Sequence, residues 1–389
     1  MNKICLVVQR YGIEVNGGAE LQCRQFAERL CDHYLVEVAT TKAIDYITWK
    51  DEYTQDTENI NGVVVHRFSV EKERDLKRFN EINGRFINGL MEESEEQKWI
   101  DEQGPLVPEL TEFIKNNQDE YVAFLFFTYL YYPTVMGVKQ VADKAIVIPE
   151  AHDEPFLKMR IFDDVFLKPR AFFFNTEEER KLVHQKYHNE YIPSDIGGAG
   201  IDIEENVSGD RFKNKYNLSH YIVYVGRIDE GKNCDELFKY FLKYKKRNHN
   251  DIKLVLMGKP VIPVPKDKDI VSLGFVSDQD KFDGIAGAEM LVLPSEFESL
   301  SLVVLEAMSL RTPVIVNGKC AVLRGHCVKS NGALYYNNYF EFEGEMNYIL
   351  SHMDVVEVML NNAEVYVNNN YCWKSVIDRL NSLIETISE

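Results

Sequence analysis

Short apolar runs alternate with segments of helical periodicity along nearly the whole chain, and they do so in two series. Ile4 to Val8 reads as a buried strand, and after Gly17-Gly18 the residues Ala19, Cys23, Phe26, Ala27 and Leu30 share one helical face. Leu35 to Ala39, Val63 to Val65 behind an Asn61-Gly62 turn, Tyr121 to Phe127, Ala145 to Ile148 and Ala171 to Phe174 continue the strand set. Thr176 with Glu179 forms a capping box that opens a helix. From Pro193 to Ser219 the periodicity lapses around Gly197-Gly198-Ala199-Gly200, which reads as a linker. A second alternation then starts at Tyr221 to Val225 and runs through Lys253 to Met257, Ile270 to Leu273, Met290 to Leu293 and Pro313 to Val316. Strands that alternate with helices form parallel sheets covered on both faces. The expectation is therefore an α/β protein of two doubly wound domains facing a cleft. The first spans residues 1–196 and the second 197–370, with a C-terminal helix in 371–389 crossing back to the first.

Composition narrows the function classes. With 44 Lys plus Arg against 62 Asp plus Glu, the formal net charge is −18, so neither nucleic-acid binding by phosphate neutralisation nor a broad grip on anionic lipid is expected. At most a peripheral membrane contact is left. The 7 cysteines include no C-x-x-C pair, which speaks against a disulfide framework or a structural zinc and for a reducing cytoplasm. The N-terminus runs straight into a strand with no signal-peptide core, so the sequons at Asn206 and Asn217 read as chance matches. Tyr121 to Val138 is apolar enough to suggest a membrane span. Thr128, Pro133 and Thr134 interrupt it, and it reads instead as a buried strand, a loop and a helix with Pro133 in its first turn.

In open α/β sheets ligands bind beyond the carboxyl ends of the strands, so the loops there hold the chemistry. After the first strand, Gly17-Gly18 at a helix start reads either as an anion site built from backbone amides or as a tight turn. Arg227 and Lys232 follow the first strand of the second domain. They supply a planar fork and a point charge suited to a diphosphate, or else form a solvated turn. After Met290 to Leu293 come Glu298 and, beyond seven intervening residues, Glu306. The helix N-terminus near Ser301, Leu302 and Val303 lies between them, an anion cradle flanked by two carboxylates that suit vicinal sugar hydroxyls. The alternative, a solvated pair, fits Glu306 poorly, because it follows Leu302-Val303-Val304-Leu305 and a buried charge needs a partner. His152 follows a central strand at its carboxyl end, where it is either structural or functional. The aromatic run Phe126 to Tyr132 lines an acceptor site or packs the core.

Together these residues resemble the family 4 glycosyltransferases. The likeness is carried by Pro294-Ser295, Glu298, Leu302-Val303, Leu305-Glu306-Ala307-Met308 and Pro313, an E-x7-E pattern. Val225-Gly226-Arg227 with Lys232, Gly17-Gly18, His152-Asp153, Leu256-Met257-Gly258 and Asn331-Gly332 fall in the family's order. The resemblance implies a GT-B fold and retaining transfer of a hexose from a nucleotide-diphosphate sugar, a UDP-sugar or GDP-mannose, to a glycan or lipid-linked acceptor in surface polysaccharide synthesis. It implies that Arg227 and Lys232 hold the diphosphate, that Glu298 bonds hydroxyls of the donor sugar, and that Glu306 holds the ribose diol. It further implies that Gly18 would bring an amide to the phosphates as the domains close, that His152 would lie beside the reacting carbon, and that Gly17, Ser299, Leu300, Ser301, Leu302 and Val303 would complete the donor site. No cofactor and no metal is implied. Two positions depart from the family pattern: Ser299-Leu300-Ser301 stands for the usual Gly-Phe-Gly, and Arg311-Thr312 precedes Pro313 where a glycine is usual. A nucleotide-sugar epimerase or a non-catalytic binding subunit on the same architecture are the alternatives.

Overall fold

A computed structural model describes residues 1–15 and 17–388; Asn16, inside the first glycine loop, and Glu389 lie outside the described residues. The chain divides into two compact units, one comprising residues 1–198 with 374–389 and the other 199–373.

In the first unit the strands are β1 (Lys3–Val7), β2 (Leu35–Thr41), β3 (Thr57–Ile60), β4 (Val63–Phe68), β5 (Ala123–Phe127), β6 (Ala145–Ile148), β7 (Ala171–Phe174) and β8 (Ser194–Ile196). They form one sheet in the order β3-β4-β2-β1-β5-β6-β7-β8, parallel except for the antiparallel edge pair β3–β4. The second unit holds β9 (Tyr221–Val225), β10 (Lys253–Met257), β11 (Ile270–Gly274), β12 (Met290–Leu293), β13 (Val314–Asn317) and β14 (Leu334–Tyr336) in a parallel sheet ordered β11-β10-β9-β12-β13-β14. Helices cover both faces, so central strands such as β5 and β12 are buried at every residue.

The strand order matters for function. In the second unit the chain starts at β9, builds outward through β10 and β11, then crosses to β12 on the other side. The reversal between β9 and β12 is the topological switch point, where a crevice opens at the carboxyl ends. Arg227 and Lys232 follow β9; Glu298 follows β12.

As read from the sequence, Tyr121 to Val138 holds β5, a loop and the helix Tyr132–Val138 with Pro133 in its first turn. No described helix is long and apolar enough to cross a membrane. The segment Pro193 to Ser219 is not a bare linker: β8 completes the first sheet and the helix Gly209–Tyr216, capped by Ser208 Oγ, belongs to the second unit. At Thr176, Oγ1 accepts from Glu179 N at 3.2 Å, and the Glu179 carboxylate accepts from backbone amides, among them Asn175 N and Ala151 N, both at 2.7 Å. The last helix, Trp373–Ser388, packs with the first unit from Lys374 onward, and Arg379 Nη1 donates to Ile196 O at 2.7 Å.

One half-buried carboxyl in the second unit gives a stability prediction. Glu345, on the helix Tyr339–Ser351, is pushed up to about 8 by burial, with Glu341 adding to the effect, and its Oε2 accepts no hydrogen bond. A carboxyl whose pKa is raised on folding binds its proton more tightly in the folded state. Stability is then lost as pH rises from the unfolded value near 4.5 through about 8. Glu345→Gln should therefore stabilise the chain by on the order of 1–2 kcal/mol at pH 9 and by much less at pH 5. Urea unfolding at the two pH values checks this; a gain that does not grow with pH contradicts it.

Candidate active site

Two glycines shape the switch point. Gly226 ends β9 with φ +147 and Gly258 ends β10 with φ +146; a Cβ on Gly258 would lie 1.8 Å from Gly226 O. Only glycine allows that backbone contact. It fixes the turn that carries Arg227, whose Nε donates to Asp229 Oδ2. Asp229 Oδ1 in turn accepts from Lys232 N at 2.8 Å, so one carboxylate organises the whole Arg227 to Lys232 loop.

The loop after β12 is pinned at both ends. Pro294 O accepts from Asn317 Nδ2 at 3.0 Å and from Asn233 Nδ2 at 3.3 Å. Leu300 O accepts from His326 Nε2 at 2.7 Å, with His326 wholly buried and its Nδ1 3.0 Å from Tyr366 Oη. Between these anchors, Glu298 Oε1 lies 2.7 Å from Lys232 Nζ. Sequence separates the two by more than sixty residues; the switch point brings them together. Their side chains are 13% and 30% exposed, shielded enough to interact strongly yet reachable from solvent.

Ser301 ends the loop in the left-handed conformation, φ 67 and ψ 77, and the helix Leu302–Ser309 follows. Its first amides, at Leu302 and Val303, precede the first intrahelical bonds and lie beside the loop that carries Glu298. Glu306, one turn on, is nearly enclosed. The partner its burial demands is Lys281, Nζ 2.9 Å from Oε1, on the helix Asp278–Ala286. Burial raises the Glu306 pKa, and Lys281 opposes the rise. The site is thus two glutamate–lysine pairs on either side of one helix N-terminus.

In the first unit the remaining predicted residues follow β1 and β6. Gly17 is extended, and the Glu20 carboxylate fills the space its Cβ would need, Oε2 at 2.0 Å. Glu20 is buried and accepts from Gln9 Nε2 and Arg10 Nε, both at 2.9 Å. Gly18 opens the helix Gly18–Leu30, and nothing lies within 4 Å of where its Cβ would stand. The two glycines therefore differ: a side chain on the first would displace the Glu20 carboxylate, whereas the second faces open space.

His152 Nδ1 is 3.0 Å from Glu154 Oε1, which also accepts from Tyr129 Oη at 2.6 Å. The preceding Glu150 adopts φ 52, and its Oε1 is shielded with no hydrogen-bond partner. Burial pushes the neighbouring Glu179 up to about 8, against the backbone donors at Asn175 and Ala151. Of the aromatic run, Phe126, Phe127 and Tyr129 are core residues, at most 1% exposed, while Leu130 and Tyr131 are half-buried. Among the described residues no group of three or more His, Cys, Asp or Glu could hold a metal ion.

Sequence reasoning did not single out Lys281, His326, Asn317 or Asp229. The demand of Glu306 for a counter-charge was legible, although the position of that charge was not.

Two parallel α/β units with polar loops at the carboxyl ends of their strands define a GT-B class of fold, and comparison with known proteins agrees. A family described as "Glycosyl transferases group 1" matches residues 219–352, which contain Arg227, Lys232, Glu298 and Glu306. An uncharacterized glycosyltransferase of Methanocaldococcus jannaschii is 26% identical over 213 residues, 52% of this chain and 53% of that protein, so the match spans about half of that relative's length. Sucrose-phosphate synthase from Thermosynechococcus elongatus superimposes with a TM-score of 0.74 at 14% identity, covering 100% of this chain and 99% of the other. HepE from Anabaena, solved in complex with UDP and glucose, gives 0.73 at 13% identity over 99% and 100%. WaaG, described as a glycosyltransferase involved in lipopolysaccharide biosynthesis, gives 0.67 at 12% identity over 98% and 99%. The chain has the GT-B glycosyltransferase fold, and residues 219–352 of its second unit match the glycosyltransferase group 1 family.

Proposed function

We propose that the protein is a retaining glycosyltransferase that moves a hexose from a nucleotide-diphosphate sugar, a UDP-sugar or GDP-mannose, to a glycan or lipid-linked acceptor, in surface polysaccharide synthesis. The observation that carries the reading is the Lys232–Glu298 pair at the β9/β12 switch point, beside the N-terminus of Leu302–Ser309 and inside the matched region. The complex of HepE with UDP-glucose supports a nucleotide-sugar donor. The description of WaaG supports the polysaccharide role.

Breaking the anomeric C–O bond leaves positive charge on the sugar and negative charge on the departing diphosphate. In this reading Arg227, Lys232 and the helix amides receive the diphosphate and stabilise its growing charge. Glu298 bonds the donor sugar's hydroxyls and offsets its positive charge, and Glu306 holds the ribose diol. In a same-face transfer the leaving phosphate oxygen takes the acceptor hydroxyl's proton as the new C–O bond forms, and the anomeric configuration is kept. Gly18 would lend an amide to the phosphates and His152 would stand by the reacting carbon. Arg227 and Lys232 do the charge work, so neither a metal nor another cofactor is invoked.

The test is turnover of a panel of UDP-hexoses and GDP-mannose in EDTA, with a mixed glycan acceptor pool and NMR of the products. Release of nucleoside diphosphate with a product of the donor's own anomeric configuration is expected. Loss of turnover in EDTA with rescue by magnesium or manganese contradicts metal independence. Free epimerised sugar from donor alone marks an epimerase, and binding without turnover marks a non-catalytic subunit.

A further inference from the structure

A groove of about 580 Å³ runs over the second unit, between the helices Cys234–Asn248 and Tyr339–Ser351. Its volume falls within the range of small-ligand sites, about 300–1,000 Å³. Arg247, Asn248, Phe340, Glu343, Gly344 and Asn347 line it. The first of the two helices starts beside Lys232 and runs for 15 residues, roughly 22 Å, before it reaches Arg247 and Asn248. The groove is therefore remote from the loops at the switch point, and no role given above uses it.

Its lining is one aromatic ring among polar groups that hold one another in place. Phe340 is 67% exposed, and Lys243 Nζ stands 5.0 Å from its centroid. Glu343 Oε1 accepts from Arg247 Nε at 2.8 Å and from Asn248 Nδ2 at 2.9 Å. Asn347 Nδ2 donates to Asn248 Oδ1 at 3.3 Å, and its Oδ1 accepts from the buried Tyr244 Oη at 3.0 Å. Bonding capacity is left over: the Arg247 Nη groups donate to no described residue, and one amide hydrogen of Asn347 and one lone pair of Asn248 Oδ1 are spare. The charges of Arg247 and Glu343 cancel, which suits a neutral ligand. A single ring is too little apolar surface for the core of a protein interface. It matches a sugar, whose C–H face lies flat on an aromatic ring while its hydroxyls meet fixed donors and acceptors.

We propose that this groove is a second glycan-binding site, which takes a short stretch of a neutral oligosaccharide. Phe340 stacks on one sugar ring, and Arg247, Asn248 and Asn347 bond its hydroxyls. The identity of that oligosaccharide as the acceptor or product chain rests on the glycan-acceptor part of the reading above. A chain held in the groove stays with the enzyme between transfers, which raises the effective concentration of its growing end.

The test is a calorimetric titration, without nucleotide, of neutral hexaoses of glucose and of mannose into the full chain and three variants, with melting curves alongside. Phe340→Ala removes the ring, Phe340→Tyr keeps it, and Gly344→Leu fills the groove. A Cβ on Gly344 would meet nothing within 4 Å, and leucine favours a helix over glycine, so this last variant should melt no lower than the parent. The parent should bind at least one hexaose, Phe340→Tyr should bind it as well, and Phe340→Ala and Gly344→Leu should bind it roughly tenfold more weakly. A parent that binds no hexaose overturns the proposal, and so does equal affinity in the parent and Gly344→Leu. Titration of UDP and GDP separates this inference from the transferase reading. Nucleotide binding without hexaose binding overturns the glycan site alone. Hexaose binding lost in the two variants, with no nucleotide bound by the parent, supports the glycan site and removes the transferase reading.

Discussion

Glu298→Gln should lower kcat by about 10²–10³ while leaving nucleoside diphosphate binding unchanged or tighter. The substitution keeps the side chain's shape and removes its charge. Two consequences follow from the 2.7 Å contact with Lys232. The sugar loses the negative group that offsets its oxocarbenium-like charge, an interaction stronger in the transition state than in the ground state, so kcat falls. Lys232 loses its resident counter-charge and turns wholly to the diphosphate, so the titrated affinity for UDP or GDP holds or rises. These opposite movements distinguish a catalytic glutamate from a structural one, whose loss would weaken both. A pure KM effect would show that Glu298 has been given the wrong role.

Glu306→Gln should do the converse, raising donor KM by about 10- to 100-fold with kcat nearly unchanged. A charge-assisted hydrogen bond to the ribose is worth roughly 1.5–3 kcal/mol, and it is made equally in ground and transition states. The substitution also leaves Lys281 with a more distant partner, Asp278 at 3.7 Å, so melting curves must accompany the kinetics. The pH dependence adds a second readout. Burial holds the Glu306 pKa above its ordinary value, so on acidification it takes up a proton sooner than an exposed glutamate. Protonation removes the charge that grips the diol; donor KM should therefore rise as pH falls, and this acid limb should vanish in Glu306→Gln. Equal kcat losses in the two variants would contradict the division of roles.

Much of the fold and site is legible in the sequence, residue by residue. Central strands such as Phe124 to Phe127 and Met290 to Val292 are buried on both faces and read as unbroken apolar runs. The short edge strands β3, β8 and β14 escaped because Thr57–Ile60 and Ser194–Ile196 are mostly polar and Leu334–Tyr336 is only three residues long. Their pairing is set by neighbours distant in sequence. The loop motif showed that Glu306 required a counter-charge, but Lys281 lies on another helix, and one lysine among many carries no local signal. His326 was equally silent: a lone histidine inside a helical pattern shows its role only when Leu300 O is seen 2.7 Å away. Phe126, Phe127 and Tyr129 turned out to be core because β5 is central, which alternation of residue types cannot distinguish from a sugar platform.

The most direct test of the account is a calorimetric titration of UDP and of GDP into the parent chain and into Lys232→Ala. The parent is expected to bind one of the two, and Lys232→Ala to bind it at least tenfold more weakly, a loss of about 1.4 kcal/mol or more. A parent that binds neither nucleotide, or a variant that binds as tightly as the parent, would contradict it.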